Sequence, residues 1–182
     1  KTNLTKNINV AIAPASNHAS GLELDGLLNY LTDQTAWTFT PLRCKSYEEA
    51  LNKLDSGEAE MGWLGPFASS EGARTGKFEA FAVGLPKGQL TPNYHSVFIT
   101  RPDSAIKNLA EVKNKKIIIS DIHSTSGYIV PKRELNDIGI NLDNSPEFSE
   151  IIITQNHDEA IKILLEGRGD VAAVSSVNLN EN

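Results

Sequence analysis

Residues 117–128 read IIISDIHSTSGY and are the most informative segment of the sequence. Its three isoleucines predict a buried strand over Lys116–Ser120, and the spacing beyond them predicts a helix over Ser126–Asp137. The first backbone N–H groups of a helix have no partner within the helix, and the helix dipole places roughly +0.5 charge at that end. The stretch therefore predicts an anion site where a buried strand passes into a helix.

A cluster of hydroxyl side chains lies at this junction. It consists of Ser124, Thr125 and Ser126, and Gly127 follows it. Each hydroxyl can donate its proton to an anion, and glycine lets a tetrahedral group come close to the backbone. The alternative is a plain N-cap, because serine and threonine are preferred at that position. Both interpretations remain open from these residues alone.

Strand-like and helix-like runs alternate on both sides of this stretch, which predicts an α/β fold with mostly parallel sheets flanked by helices. Residues 86–93 hold prolines and a glycine among polar residues, a composition typical of a connection. We therefore expect two α/β lobes, residues 1–93 and 94–182, with a ligand cleft between them. The other predicted strands cover residues 8–12, 37–43, 61–65, 78–85, 94–100, 148–154 and 171–174, and the other predicted helices lie around residues 24–31, 46–54 and 156–166 and after Pro66.

Composition and motifs exclude several classes of protein. The net charge of −6 and the absence of a basic stripe argue against nucleic acid as a partner. A single cysteine, Cys44, and four histidines without metal-ligand spacing argue against a metal site. No cofactor loop and no hydrolase or nucleotide-binding motif occurs, so we expect neither a cofactor nor an enzyme. There is no membrane-spanning run and no signal peptide, which is the pattern of a mature or trimmed chain.

Two further residues are candidates for the site. His157 follows Asn156 and precedes Glu159, a pair that predicts a capping box and places the histidine at the start of a helix. Tyr94 opens the strand after the connection, where its phenol could reach the cleft. The alternatives are a surface histidine and an aromatic side chain that packs at a hinge.

Four blocks of the sequence carry a family resemblance: Gly62–Pro66, Tyr94–Ser104, Asn108–Lys116 and Ser124–Tyr128 with Pro131. In these blocks the sequence resembles the phosphonate, phosphite and phosphate-binding receptors of ABC importers, the PhnD-type group of periplasmic binding proteins. The resemblance implies a two-lobed periplasmic-binding-protein fold of type II. It also implies that the hydroxyl cluster binds the phosphorus oxygens while Tyr94 and His157 close around them, and a tyrosine of the first lobe matches Tyr47. The alternative for Tyr47 is a half-buried aromatic at a helix start.

Two features depart from the pattern of that family. Its aminoalkylphosphonate receptors carry an acidic residue just past the last strand, whereas residues 175–178 contain no carboxylate. A ligand without an ammonium group is therefore expected. The sequence also stops at Asn182, about where family members return to the first lobe, so we expect the C-terminal return segment of that lobe to be missing.

The function implied by the resemblance is that of the substrate-binding component of an ABC transporter, in the periplasm or otherwise outside the cytoplasm. It would capture phosphonate, phosphite or phosphate and deliver the ligand to the membrane subunits of the importer. Contact with the membrane would come only through a removed anchor or a partner. The alternative is a ligand-sensing domain fused to a membrane signalling protein, which would share the fold and the ligand.

Overall fold

A computed structural model describes residues 6–14, 19–76, 78–85, 90–143 and 145–179. The described residues form two separate sheets with helices packed on them. The strands are β1 (Lys6–Ile12), β2 (Trp37–Arg43), β3 (Met61–Trp63), β4 (Ser96–Ile99), β5 (Lys116–Ile119), β6 (Glu150–Ile153) and β7 (Val171–Ser175). The α-helices are α1 (Ala19–Gln34), α2 (Tyr47–Asp55), α3 (Pro66–Arg74), α4 (Val130–Asp137) and α5 (His157–Leu165).

The first sheet has the order β2-β1-β3, and all of its strands are parallel. β1 is its central strand and is buried on both faces. Ile8, Val10 and Ile12 pack against α1, whereas Ala11 and Ala13 face α2 and α3. Small side chains on the second face let these two helices approach the sheet, because a helix packs closer over alanine than over a larger residue.

The second sheet has the order β4-β7-β5-β6, with β4 antiparallel to β7 and the other pairs parallel. On β5, Ile117 and Ile119 pack in the same cluster as Leu135 of α4. Ile118 points to the other face, towards Ile163 of α5. Burial of each isoleucine contributes roughly 1.5–3 kcal/mol, and parallel strands are normally covered on both faces in this way. The carboxyl end of β5 is therefore held firmly.

Several of the described helical segments begin just after the carboxyl ends of parallel strands. α2 follows β2, α3 follows β3 and α5 follows β6, while a π-helical turn, Thr125–Ile129, follows β5 and leads into α4. In open α/β sheets this edge is where ligands bind. The N-termini of these helices are the main structural feature of the site.

Most predicted elements are confirmed to within one or two residues, but the strand predicted over residues 78–85 is wrong. This segment has no regular structure, and most of its apolar residues are exposed, Phe81 at 77% and Val83 at 73%. A strand needs a neighbour for its backbone hydrogen bonds, and no described strand pairs with this segment. Of the predicted connection, residues 86–89 lie outside the described residues, and the division into 1–93 and 94–182 stays a prediction.

The helix predicted over Ser126–Asp137 is confirmed, but its first turn is π-helical. The backbone N–H of Val130 bonds to the carbonyl of Thr125, five residues back. Pro131 has no N–H to give to the carbonyl of Gly127, and the wider turn accommodates this loss. Within the described ranges, the helices are too short or too polar to cross a membrane.

Candidate functional site

Ser124 begins the turn that follows β5. Its side-chain oxygen accepts a hydrogen bond from the backbone N–H of Gly127 at 3.0 Å. Its carbonyl accepts the N–H groups of Tyr128 and Ile129, each at 3.1 Å. Ser124 is therefore an N-cap, as one of the two interpretations has it. The cap uses a lone pair of the hydroxyl, so the proton remains available for another acceptor.

Thr125 connects this turn to the start of α3. The backbone N–H of Phe67, in the first turn of α3, donates to Thr125 Oγ1 at 2.9 Å. The bond joins residues 58 positions apart in the chain, and it brings two helix N-termini together. An anion held here would meet partial positive charge from both sides.

Ser126 is buried and lies against His157, with 3.3 Å between Ser126 Oγ and His157 Nε2. His157 is the first residue of α5, whose N-cap Asn156 accepts the N–H of Glu159 at 2.9 Å. Burial lowers the pKa of His157 to about 4, with a small opposing contribution from Asp158. The imidazole is thus neutral near pH 7. Its Nδ1 atom has no hydrogen-bond partner in the part of the chain that the structure describes.

Two tyrosines border the hydroxyl cluster. Tyr47 is buried at the start of α2, and burial, together with the carboxylate of Asp121, raises its pKa to about 12. A hydrogen bond with Ser124 acts in the opposite direction. Tyr94 is half-buried and interacts with Thr125, and burial raises its pKa as well. Both phenols therefore keep their protons at neutral pH and can donate them to an anion.

Gly127 is a glycine because its surroundings leave no room for a side chain. A Cβ atom at this position would lie 1.7 Å from Ser120 Oγ and 2.8 Å from Ser120 Cβ. Close packing against the end of β5 thus requires glycine here. The predicted approach of a ligand to this backbone stays a prediction.

A cavity of about 210 Å³ lies beside the hydroxyl cluster. It is smaller than the roughly 300–1,000 Å³ of pockets for drug-sized molecules, which suits a small ligand. Three of the seven predicted site residues line it, namely Tyr94, Thr125 and Ser126. The other four are buried and do not line it; they are Tyr47, Ser124, Gly127 and His157. None of the described residues in the lining is a lysine or arginine: they are Pro66, Pro92, Asn93, Tyr94, Ser96, Thr125, Ser126 and Val130.

Two contacts that the sequence did not predict join the turn after β5 to the first sheet. The carboxylate of Asp121 accepts the N–H of His123 at 2.7 Å and also the backbone N–H of Tyr47, at the start of α2. The His123 ring bonds through Nδ1 to Glu71 of α3 at 2.7 Å. Burial raises the pKa of Asp121, and the two N–H donors hold it down. Residues 121–125 therefore contact both α2 and α3.

One further contact involves Ser96, the first residue of β4. Its hydroxyl donates to the carbonyl oxygen of Ser126 at 2.7 Å. The position of Asp121 directly after a buried strand was a usable signal for a site residue. Nothing in the local pattern indicates the partners of Ser96 or Glu71, because those partners lie 30 and 52 positions away.

The sheets, the helix N-termini at the strand ends and the small cavity beside the hydroxyl cluster are the architecture of the periplasmic-binding-protein class. A family profile described as "ABC transporter, phosphonate, periplasmic substrate-binding protein" matches residues 10–181. The chain belongs to that family. The family and the periplasmic location expected from the sequence are thereby confirmed, and the family is one of solute-binding proteins.

Individual relatives agree with this assignment. The phosphate-import protein PhnD of Mycolicibacterium smegmatis is 26% identical over 136 residues, which cover 73% of this chain and 42% of the relative. A binding protein component of an ABC phosphonate transporter from Pseudomonas aeruginosa has a TM-score of 0.82 at 20% identity, covering 97% of this chain and 59% of that one. PhnD1 of Prochlorococcus marinus in complex with methylphosphonate has a TM-score of 0.78 at 19% identity, covering 97% and 66%. The chain thus spans well under the full length of these relatives.

Proposed function

We propose that this chain captures a small phosphorus oxyanion, such as phosphonate, phosphite or phosphate, beside the turn after β5. One observation carries the proposal. Ser124 and Thr125 each accept a backbone N–H and each hydrogen-bonds to a tyrosine, so when the tyrosine donates, the hydroxyl proton can point to an anion. Hydrogen bonds from fixed hydroxyl groups to a charged oxygen contribute about 1.5–3 kcal/mol each, so a few of them hold an oxyanion without any basic side chain.

The proposed cleft lies between two lobes, residues 1–93 and 94–182. Two observations support this division: β1–β3 and β4–β7 belong to different sheets, and the contacts of Thr125 and His123 join them at the site. The contacts of α2 and α3 with residues 123–125 correspond to a closed arrangement of the proposed lobes, which would exclude water from the anion. Exclusion of water strengthens each polar contact.

We infer a role in delivery to the membrane subunits of an importer, because the family description is that of a transporter component. A sensor domain fused to a signalling protein is not favoured by that description. We also infer that the chain is not an enzyme. Asp121 bonds to the backbone of His123, while the ring of His123 bonds to Glu71, so these side chains do not form the relay of a Ser-His-Asp hydrolase.

Calorimetric titration with phosphite, phosphate and methylphosphonate tests the proposal. Wild-type protein should bind at least one of them, and Ser124→Ala, Thr125→Val and Ser126→Ala should each weaken binding about tenfold or more. Ser56→Ala is the matched control, because Ser56 is an exposed hydroxyl after α2 and bonds to the carbonyl of Lys53. Folded variants of the cluster that all bind like wild type would reduce the cluster to a helix cap.

The absence of an ammonium group from the ligand is a separate part of the proposal. Residues 175–178 carry no carboxylate, and the Asn178 amide donates to Asp158 at 2.9 Å. A buried ammonium group without a charged partner costs several kcal/mol. Methylphosphonate should therefore bind more tightly than 2-aminoethylphosphonate at the same pH and salt. Tighter binding of the amino compound would contradict this and would direct attention to Asp121 or Asp158.

A further inference from the structure

Two hydroxyl groups on the same cavity have opposite hydrogen-bonding roles, and the backbone sets both. Thr125 Oγ1 accepts the N–H of Phe67 and hydrogen-bonds to the Tyr94 phenol, so when Tyr94 donates, the Thr125 proton can point to an anion. Ser96 Oγ donates its proton to the carbonyl of Ser126, because a carbonyl oxygen can only accept. The Ser96 hydroxyl therefore presents lone pairs, whereas the Thr125 hydroxyl presents a proton. Both residues line the cavity.

The charges around the cavity do not favour a doubly charged ligand. No described lining residue is basic, and burial keeps His157 neutral near pH 7. None of the described lining residues is acidic either: Asp121, Glu71 and Glu48 lie along the turn after β5 and on the helices that contact it. The titratable groups that face the hydroxyl cluster and its neighbours are Tyr47, Glu48, Glu71, Tyr94, Asp121, His123, His157 and Asp158.

We propose that Ser96 determines specificity by accepting the proton of a singly protonated oxyanion, so that the site prefers the monoanion over the dianion. This inference rests on the proposed function. The P–OH group of the ligand donates to Ser96, and an ionised oxygen accepts from Thr125. A dianion would instead place lone pairs against the lone pairs of Ser96, and it would add a second negative charge where no described lining residue is basic.

The test is calorimetric titration with methylphosphonate over about pH 5.5–8.5, with methanesulfonate as the control ligand. Methylphosphonate loses its second proton within this range, whereas methanesulfonate has one charge and no proton throughout. The affinity for methylphosphonate should be level below its second pKa and fall about tenfold per pH unit above it. A pH effect that belongs to the protein itself will also appear with methanesulfonate, and the ratio of the two affinities removes it.

A pair of isosteric variants isolates the role of Ser96. Ser96→Thr keeps the hydroxyl and Ser96→Val replaces it with a methyl group, so any steric effect is common to both. At about pH 6 the valine variant should bind methylphosphonate about tenfold more weakly than the threonine variant, whereas methanesulfonate, which has no proton to donate, should bind the valine variant at least as well. Thermal unfolding of both variants checks that each is folded.

The possible outcomes distinguish a failure of the proposed function from a failure of the proposed role of Ser96. Wild-type protein that binds none of these oxyanions at any pH would overturn the proposed function and this inference together. Binding of methylphosphonate that strengthens as the pH rises, relative to methanesulfonate, would overturn the role of Ser96 alone. Equal binding by folded threonine and valine variants would do the same.

Discussion

Replacement of Gly127 with alanine is expected to destabilise the protein and to displace the hydroxyl cluster. The new Cβ would lie 1.7 Å from Ser120 Oγ, 2.8 Å from Ser120 Cβ and 3.0 Å from Ser124 Oγ. Rotation of the Ser120 hydroxyl relieves the first contact but not the second, so the turn must move away from the end of β5. Overpacking of this kind costs about 1–3 kcal/mol.

The size of the effect can be measured by urea and thermal unfolding. For a chain of this length, each kcal/mol lost corresponds to a decrease in Tm of about 2–4 °C. Oxyanion affinity should fall in the same variant, because the turn that must move also carries Ser124 and Thr125. Gly26→Ala is the matched control: Gly26 is exposed in α1 and its Cβ would have nothing within 4 Å. That change should stabilise the helix by about 0.5–1 kcal/mol.

A second substitution tests the cause of the effect. Ser120→Gly removes both atoms that clash with the new Cβ, so the double variant should be closer in stability to Ser120→Gly than Gly127→Ala is to wild type. In this double-mutant cycle, the double variant should lose less stability than the sum of the losses in the two single variants. Wild-type stability and wild-type oxyanion binding of Gly127→Ala would refute the close packing at this position.

Three further predictions concern other parts of the chain. Burial lowers the pKa of His157 to about 4 in the folded state, whereas in the unfolded state the imidazole binds a proton near pH 6.5. The free energy of unfolding should therefore fall by up to about 3 kcal/mol as the pH is lowered from 6.5 to 4. His157→Gln should lack this part of the pH dependence in urea titrations, and an identical slope in both proteins would contradict the assignment. Ser120→Ala should leave stability unchanged or raise it slightly, since the buried Ser120 hydroxyl has no partner among the described residues; a loss above about 1 kcal/mol would reveal one. Arg101→Met should cost about 1–3 kcal/mol, because Arg101 Nη1 donates to the carbonyls of Leu164 and Gly169, whereas the exposed Arg133→Met control should change stability by less than about 0.5 kcal/mol.

Features that depend on neighbours in the chain could be predicted from the sequence. The isoleucines of β5, the cap at Ser124 and the capping pair of Asn156 and Glu159 involve residues at most four positions apart, and each is confirmed by a described contact. The hydroxyl cluster was found in the same way, because strand, hydroxyls and helix follow one another directly. The resemblance of the sequence to the receptor family added Tyr47 to the predicted site, and the structure places Tyr47 beside Ser124.

Which distant groups meet at this turn depends on the tertiary structure. Three contacts depend on how distant parts of the chain are arranged in space: the hydrogen bond from Phe67 to Thr125, the pairing of Glu71 with His123, and the donation from the Ser96 hydroxyl to the Ser126 carbonyl. The same dependence explains why the strand predicted over residues 78–85 is wrong: the apolar residues alternate there, but no described strand pairs with the segment. Periodicity reports which side of an element is apolar, whereas a hydrogen bond requires a partner, and the chain path through space supplies that partner.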